Sequence, residues 1–328
     1  MPRALRAAGI VLLVSASFAA GWVRLPYYAL GPGPARDVLT LIDVDDAPTY
    51  GSSGRLVLTT VRFTQVTALG ALVAWLDPEQ AVVDEGVLYP PGLTPDEEER
   101  RAASEMDQSK IDAAVVVLSR LTGYPEDHGR GALIEQVGEG CPADRVLFPG
   151  DLIVRIDDEA IMSAEEAARL IDAVPPGRPI DVRVRTEDGI QDVDVERGRC
   201  PGSRDPLIGI ATVEPFPFPI SIESDDVGGP SAGLMWALGL YDLLTPGDLT
   251  DGRTIAGTGT IDQEGKVGPI GGVLDKVVAA REAGADLLLV PRGNLAAIRN
   301  VDHRDMRVVP VETFDDALSA LAPSGTAT

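Results

Sequence analysis

The feature that most constrains this 328-residue chain is a serine set among glycines at the start of an apolar helix. Gly228-Gly229-Pro230-Ser231-Ala232-Gly233 runs directly into Leu234-Met235-Trp236. The first amides of a helix have no partner within it, and such donors can stabilise an attacking oxygen and an oxyanion. Ser231 is therefore a candidate nucleophile. The alternative is a serine that only caps the helix.

A second cluster further along the chain contains a candidate base. Its segments are Thr258-Gly259-Thr260-Ile261, Gly265-Lys266-Val267-Gly268-Pro269-Ile270-Gly271-Gly272 and Val273-Leu274-Asp275-Lys276. Lys276 begins a predicted helix with enough apolar neighbours to bury an amine. Burial disfavours the ammonium form, so a buried lysine can take a proton from a hydroxyl. The alternative is a surface lysine on an amphipathic helix.

Together the two clusters resemble the proteolytic domain of Lon-type serine–lysine proteases. The resemblance implies an α+β catalytic domain over residues 207–322, which cuts polypeptides and assembles into a homo-hexamer. Carried over by position, it implies that Ser231 is the nucleophile and Lys276 the general base and later general acid. The Thr258 hydroxyl would help to hold the lysine amine, and Gly228 and Gly229 would support the serine turn.

Two other functions fit the same serine. Gly229-Pro230-Ser231-Ala232-Gly233 also satisfies the Gly-x-Ser-x-Gly pattern of α/β-hydrolases, which would make His303 the partner in an esterase. A non-catalytic binding protein, in which the Lon-like domain is a scaffold, is the third hypothesis. We rank the peptidase first among these hypotheses, the binding protein second and the esterase third.

Charge and missing motifs exclude several classes of partner. Acidic residues number 51 against 28 basic ones, a formal net charge of −23, so nucleic acid is not an expected partner. The chain contains no phosphate-binding Gly-x-x-x-x-Gly-Lys-Ser/Thr sequence, no Cys/His spacing typical of a metal site and no nucleotide fingerprint. We therefore expect an ATP-independent enzyme without cofactor or metal.

Residues 1–30 are predicted to form a transmembrane signal anchor. Arg3 and Arg6 precede an apolar stretch that continues to Val23, and Trp22, Tyr27 and Tyr28 suit the membrane interface. A cleaved signal peptide is the alternative. The positive-inside rule then places the remaining domains outside the cytoplasm, on a single-pass protein of the cell membrane.

Residues 121–200 form a β-rich module by their alternating pattern. Gly140-Cys141-Pro142-Ala143-Asp144 and Leu147-Phe148-Pro149-Gly150-Asp151-Leu152-Ile153 make it resemble a bacterial PDZ domain. That resemblance implies that the module binds peptide tails at a sheet edge and captures their carboxylate with loop amides. By position the loop would be Leu121, Thr122, Gly123 and Tyr124. The alternative is a module that only braces the protease.

Three further expectations complete the organisation of the chain. Cys141 and Cys200 are the only cysteines, and an oxidising compartment would favour a disulfide between them, although two core thiols are the alternative. Residues 31–120 are an α/β region of unknown role. Residues 201–206 form a linker to the protease domain. The predicted fold class is thus α+β multidomain: anchor, PDZ module and Lon-type domain.

Overall fold

The computed structural model describes residues 21–77, 79–89, 94–186, 188–224 and 226–322. Most of the predicted anchor, residues 1–20, lies outside the described residues. Among those that are described, no helix combines the length and the apolar character needed to cross a bilayer. The aromatic segment that we expected to extend the anchor is instead strand β1, Arg24–Pro32.

β1 is the central strand of a small antiparallel sheet with the order β5-β1-β6. A nine-residue helix, α1, follows β5 directly, and Thr67 caps it by accepting a hydrogen bond from the Gly70 amide. The short helix α2 follows β6. The bounds are β5 Val61–Thr67, α1 Ala68–Leu76, β6 Ala81–Asp84 and α2 Glu85–Leu88.

The largest core surrounds a five-stranded sheet with the order β18-β17-β14-β4-β2, in which only β2 is antiparallel to its neighbour. Two of these strands come from residues 31–120, so the segment that we set apart, as an α/β region of unknown role, contributes to this domain. Its strands β2 and β4 complete this sheet. The strands are β2 Arg36–Asp37, β4 Arg55–Leu58, β14 Thr254–Gly257, β17 Leu287–Pro291 and β18 Arg307–Val311.

Alternation along these strands creates a core on each face of the sheet, because successive strand residues point to opposite sides. Helix α5, Gly233–Leu244, packs on one face against Leu56, Ile255 and Leu289. Helix α6, Val273–Glu282, packs on the other face against Val57, Ala256 and Leu288. The sheet therefore separates the two helices that begin beside the candidate nucleophile and base.

The remaining elements of this domain are short. β3 pairs antiparallel with β13, β15 pairs antiparallel with β16, and the last helix packs on the α5 side of the sheet. They are β3 Ile42–Val44, β13 Ile220–Ile222, β15 Thr260–Ile261, β16 Val267–Gly268 and α7 Phe314–Leu321.

Helix α3, Pro95–Leu121, joins the protease to the β-rich module. It starts with a capping box, in which Thr94 and Glu97 exchange hydrogen bonds, as expected for a threonine three residues before a glutamate. Its second half is buried and contacts both α5 and the module. At its first turn Glu97 forms an ion pair with Arg145 of the module, at 3.2 Å.

The β-rich module is a sheet with the order β11-β10-β8-β7-β12, covered by helix α4. Its last strand, β12, comes after the predicted linker and pairs antiparallel with β7. The boundary that we placed between residues 200 and 207 is therefore wrong, because residues 207–213 belong to the module. The bounds are β7 Ala132–Val137, β8 Leu152–Ile156, β9 Glu159–Ala160, α4 Ala164–Ala173, β10 Pro179–Thr186, β11 Gly189–Glu196 and β12 Ile210–Val213.

Candidate active site and peptide-binding edge

Ser231 lies in a 3-10 turn, Pro230–Ala232, immediately before α5. Gly229 adopts a φ of +83°, a conformation that L side chains rarely take, and its amide donates to the Ala102 carbonyl of α3 at 2.7 Å. Gly228 lies against α3 so closely that a methyl group there would come within 2.8 Å of the Ala102 Cβ. The two glycines thus hold the serine turn against α3.

The Thr258-Gly259 turn fixes the serine from the other side. Thr258 follows β14, and both its hydroxyl and the Gly259 amide donate to the Ser231 carbonyl, at 3.0 and 2.9 Å. The Ser231 amide itself donates to no acceptor within the described part of the chain. It is the donor best placed to stabilise negative charge on an oxygen bound beside the serine hydroxyl.

Lys276 reaches the same point from the opposite face of the sheet. It lies in the first turn of α6, which begins after Gly272, and its side chain passes the carboxyl end of β14. The Lys276 Nζ is 2.6 Å from the Ser231 Oγ and 3.0 Å from the Thr258 Oγ1. The structure therefore brings together all three residues that the sequence singled out, at the strand ends where α/β sheets place their ligand sites.

Burial decides the protonation of this lysine. Lys276 is only 4% exposed, and no carboxylate of the described residues pairs with its amine. Loss of solvation alone lowers the pKa of Lys276 to about 8. An amine with that pKa is neutral in a useful fraction of molecules near pH 8 and can accept the serine proton.

His303 is not part of this site. It precedes β18, whereas Thr258 follows β14, and the two strands run in the same direction in one sheet. Residues before one parallel strand and after another lie at opposite edges of the sheet. His303 has no contact with Ser231 in the described structure, so the geometry does not support the esterase.

The loop that we predicted to hold a peptide carboxylate is occupied by other bonds. Leu121 ends α3, and the Thr122 amide donates to the Leu118 carbonyl. The Tyr124 amide donates to the Thr122 hydroxyl, and the buried Tyr124 phenol donates to the Glu214 carbonyl. Of the four amides of residues 121–124, only that of Gly123 has no acceptor among the residues that the structure describes, so this loop does not form a carboxylate site. It anchors α3 to the end of β12.

The structure offers a different loop, Leu207-Ile208-Gly209-Ile210, which leads into β12. β12 is the terminal strand of its sheet, and one edge pairs with β7 while the other pairs with no described strand. The amides of Ile208 and Gly209 donate to no acceptor in the described structure, and Gly209 has a φ of +87°. Consecutive free amides around such a residue form a concavity that suits an anion.

This loop lies beside α4, since Ile208 and Ile210 share an apolar cluster with Ala167 and Ile171 of that helix. Sequence reasoning missed the loop because it assigned residues 207–213 to the protease. The signal was present as an apolar-Gly-apolar segment followed by Ala211-Thr212-Val213. Only the pairing of β12 with β7 shows that this segment belongs to the module.

Cys141 and Cys200 form a disulfide in the structure. It lies directly under the loop: a methyl group on Gly209 would come within 2.1 Å of the Cys141 Cβ and 2.9 Å of the Cys200 Sγ. The disulfide therefore supports the backbone from which β12 starts. No group of His, Cys, Asp and Glu with metal-binding geometry occurs in the ranges that the structure describes.

Comparison with known families agrees with this division of the chain. Residues 224–323 match the Lon protease (S16) C-terminal proteolytic domain, and residues 133–186 match the PDZ domain. The chain thus carries the proteolytic domain of a serine peptidase together with a PDZ domain.

Curated relatives named Lon protease match about a third of the chain. Lon protease 2 of Syntrophobacter fumaroxidans is 37% identical over 29% of this chain and 12% of its own length. Lon protease 2 of Bacillus subtilis is 35% identical over 32% of this chain and 18% of its own length. The chain therefore spans less than a fifth of these relatives.

Among the solved structures that match are isolated PDZ domains. The PDZ domain of the SdrC-like protein from Listeria monocytogenes is 29% identical, with a TM-score of 0.24, and the alignment covers 25% of this chain and 87% of that one.

Proposed function

We propose that this chain, which carries a Lon-type proteolytic domain and a PDZ domain, is an ATP-independent serine endopeptidase that cuts unfolded or extended polypeptides. The observation that carries the proposal is the 2.6 Å distance between the Lys276 Nζ and the Ser231 Oγ, in a buried site where no described carboxylate pairs with the amine. Such a pair has the geometry of a nucleophile and its base.

The reaction follows from the positions of these groups. Neutral Lys276 takes the hydroxyl proton as the Ser231 Oγ attacks a peptide carbonyl, and the Ser231 amide donates to the resulting oxyanion. The ammonium then protonates the leaving amine, which breaks the peptide bond and leaves an acyl-serine. Water, activated by the neutral lysine, releases the second product. The Thr258 hydroxyl orients the amine throughout, because it accepts from Nζ while donating to the Ser231 carbonyl.

We assign peptide-tail binding to the free edge of β12 and the loop Leu207–Ile210. A peptide that pairs with this edge would form mostly backbone hydrogen bonds, and its terminal carboxylate would meet the free amides of Ile208 and Gly209. The proposal further places the enzyme outside the cytoplasm, attached to the membrane through residues 1–23. A hexameric ring remains a prediction that light scattering on the purified chain would check.

Cleavage of casein by the full chain in detergent, without ATP, tests the peptidase. We expect Ser231→Ala and Lys276→Ala each to lower the rate by about 10³-fold or more. His303→Ala and Lys266→Ala, a change of an exposed lysine, should leave it unchanged. Activity that survives both dyad changes would sink the dyad, whereas no cleavage by any form, the wild type included, would sink the peptidase and favour the binding protein. A rate that rises on adding ATP would remove ATP independence alone.

A further inference from the structure

Helix α1 carries an apolar face that nothing in the described structure covers. All nine of its residues are apolar or glycine, yet only Ala74 is buried. Leu69, Leu72, Val73 and Leu76 lie on one side, and Trp75 borders them; their exposed fractions run from 52% for Leu72 to 76% for Trp75. These five residues are called the α1 face. A helix that is apolar on all sides normally lies in an apolar environment.

The α1 face adjoins the point where the N-terminal apolar segment joins the sheet. Arg24, the first residue of β1, pairs with Thr67, the residue that caps α1. Trp22 and Val23, which directly precede β1, are more than half exposed. Residues 7–21 contain no charged side chain. A bilayer that holds that segment would therefore lie within a few residues of α1.

The chemistry of the face suits lipid. A helix that lies in the membrane interface buries Leu and aromatic side chains about 5–10 Å into the boundary between headgroups and acyl chains. Tryptophan prefers that boundary because its ring is apolar and its N–H is polar. Two of the three tryptophans of the chain, Trp22 and Trp75, lie at this end of the molecule, and α1 itself has no charge.

We propose that the α1 face docks onto a lipid bilayer, beside the point where residues 7–23 enter it. The small sheet would then fix the orientation of the protease, because β1 packs against α6 and Glu79 forms an ion pair with Arg281 of that helix. The helix that carries Lys276 would thus be held at a set distance from the membrane. This inference rests on the membrane attachment proposed above and is independent of proteolysis.

Tryptophan fluorescence in vesicles tests the docking. The full chain is reconstituted into phosphatidylcholine vesicles with or without bromine atoms on the acyl chains, which quench nearby tryptophans. Trp22→Phe leaves Trp75 and the fully buried Trp236; the matched control, Trp22→Phe with Trp75→Phe, leaves Trp236 alone. We expect brominated lipid to remove more than half of the Trp75 emission, taken as the difference between the two variants, and little of the Trp236 emission.

Flotation of the vesicles separates this inference from the attachment. If the chain floats with the vesicles but Trp75 is not quenched, the docking is overturned and the attachment stands. If the chain does not float, both are overturned. Protection of Trp75 from aqueous iodide in the absence of lipid would also overturn the docking, because protein would then cover the α1 face. Protection that depends on protein concentration would identify a second copy as the cover, and protection that does not would identify another part of the same chain.

Discussion

The candidate protease site and the proposed peptide-binding edge are built from different kinds of contact. Ser231, Thr258 and Lys276 come from one stretch of sequence, in which the lysine follows the serine by 45 positions, and each stands at the end of a regular element. The edge strand β12 instead returns to a sheet that begins more than seventy residues earlier, at β7. Local motifs specify the first region, and long-range pairing creates the second.

The largest expected effect comes from replacing Lys276, which should change activity and stability in opposite directions. Lys276→Met should abolish cleavage yet raise the free energy of unfolding at pH 7, by up to about 3 kcal/mol, because the buried amine has a pKa of about 8 instead of 10.5. Below pH 8 the folded protein carries the full cost of burying a charge, and that cost disappears as the pH rises from about 8 to 10.5. The advantage of methionine should therefore shrink over that range.

Urea unfolding of both proteins at pH 7 and pH 10 measures the effect, with Lys266→Met as the control on an exposed lysine. A methionine variant that is less stable than the wild type at pH 7 would mean that packing around the lysine outweighs its desolvation.

The next effect concerns the hydroxyl that holds the base. Thr258→Val should lower kcat about 10- to 100-fold, because the lysine amine loses an acceptor and the Ser231 carbonyl loses a donor. In the wild type, kcat should rise with pH through about 8 as Lys276 loses its proton. The midpoint should fall in the valine variant, since the ammonium is less stabilised, and Thr258→Ser should restore both values. An unchanged midpoint would show that Thr258 is only structural.

Gly209→Ala tests the peptide-binding edge. The added methyl group would meet the disulfide, and alanine disfavours the left-handed conformation that Gly209 already adopts, so we expect about tenfold weaker binding of a peptide that ends in a free carboxylate. Gly177→Ala is the matched control, because Gly177 has a φ of +81° but no atom near its would-be Cβ. Fluorescence anisotropy measures binding, and an amidated peptide should bind weakly to all three proteins. Equal affinity in the two glycine variants would count against the loop.

The smallest effect on activity is expected where the two regions meet. Asp112 of α3 accepts from Gln263 of the protease at 3.3 Å, and burial, with a contribution from Glu135 of β7, raises its pKa to about 7. Since the folded state binds this proton more tightly than the unfolded state, the charge increasingly destabilises the fold as pH rises from about 4 to 7. Asp112→Asn should leave casein cleavage unchanged.

Thermal unfolding at several pH values measures this contribution. The increase in the free energy of unfolding caused by Asp112→Asn should be about 1–3 kcal/mol larger at pH 8 than at pH 4. The exposed control Asp305→Asn should show no such trend. A pH-independent gain would indicate that the carboxylate is not buried in solution.

The parts that the sequence predicted are those whose cause is local. The alternating pattern of residues 121–200 predicted a β-rich module, and its segments became β8, β10 and β11. The serine turn needed its glycines, and Gly229 takes the left-handed conformation that this requires. Each of these features depends on residues within a few positions of one another.

What the sequence by itself determined is the chemistry at Ser231, Thr258 and Lys276, because residue type and spacing carry that information. Only the tertiary structure decided that β4 belongs to the sheet beside the candidate active site and that β12 belongs to the PDZ sheet. It also decided that residues 121–124 are held by other hydrogen bonds and that the apolar helix α1 remains exposed. Strand pairing and burial join residues far apart in the chain. Their energies depend on which surfaces meet, and no short motif records that choice.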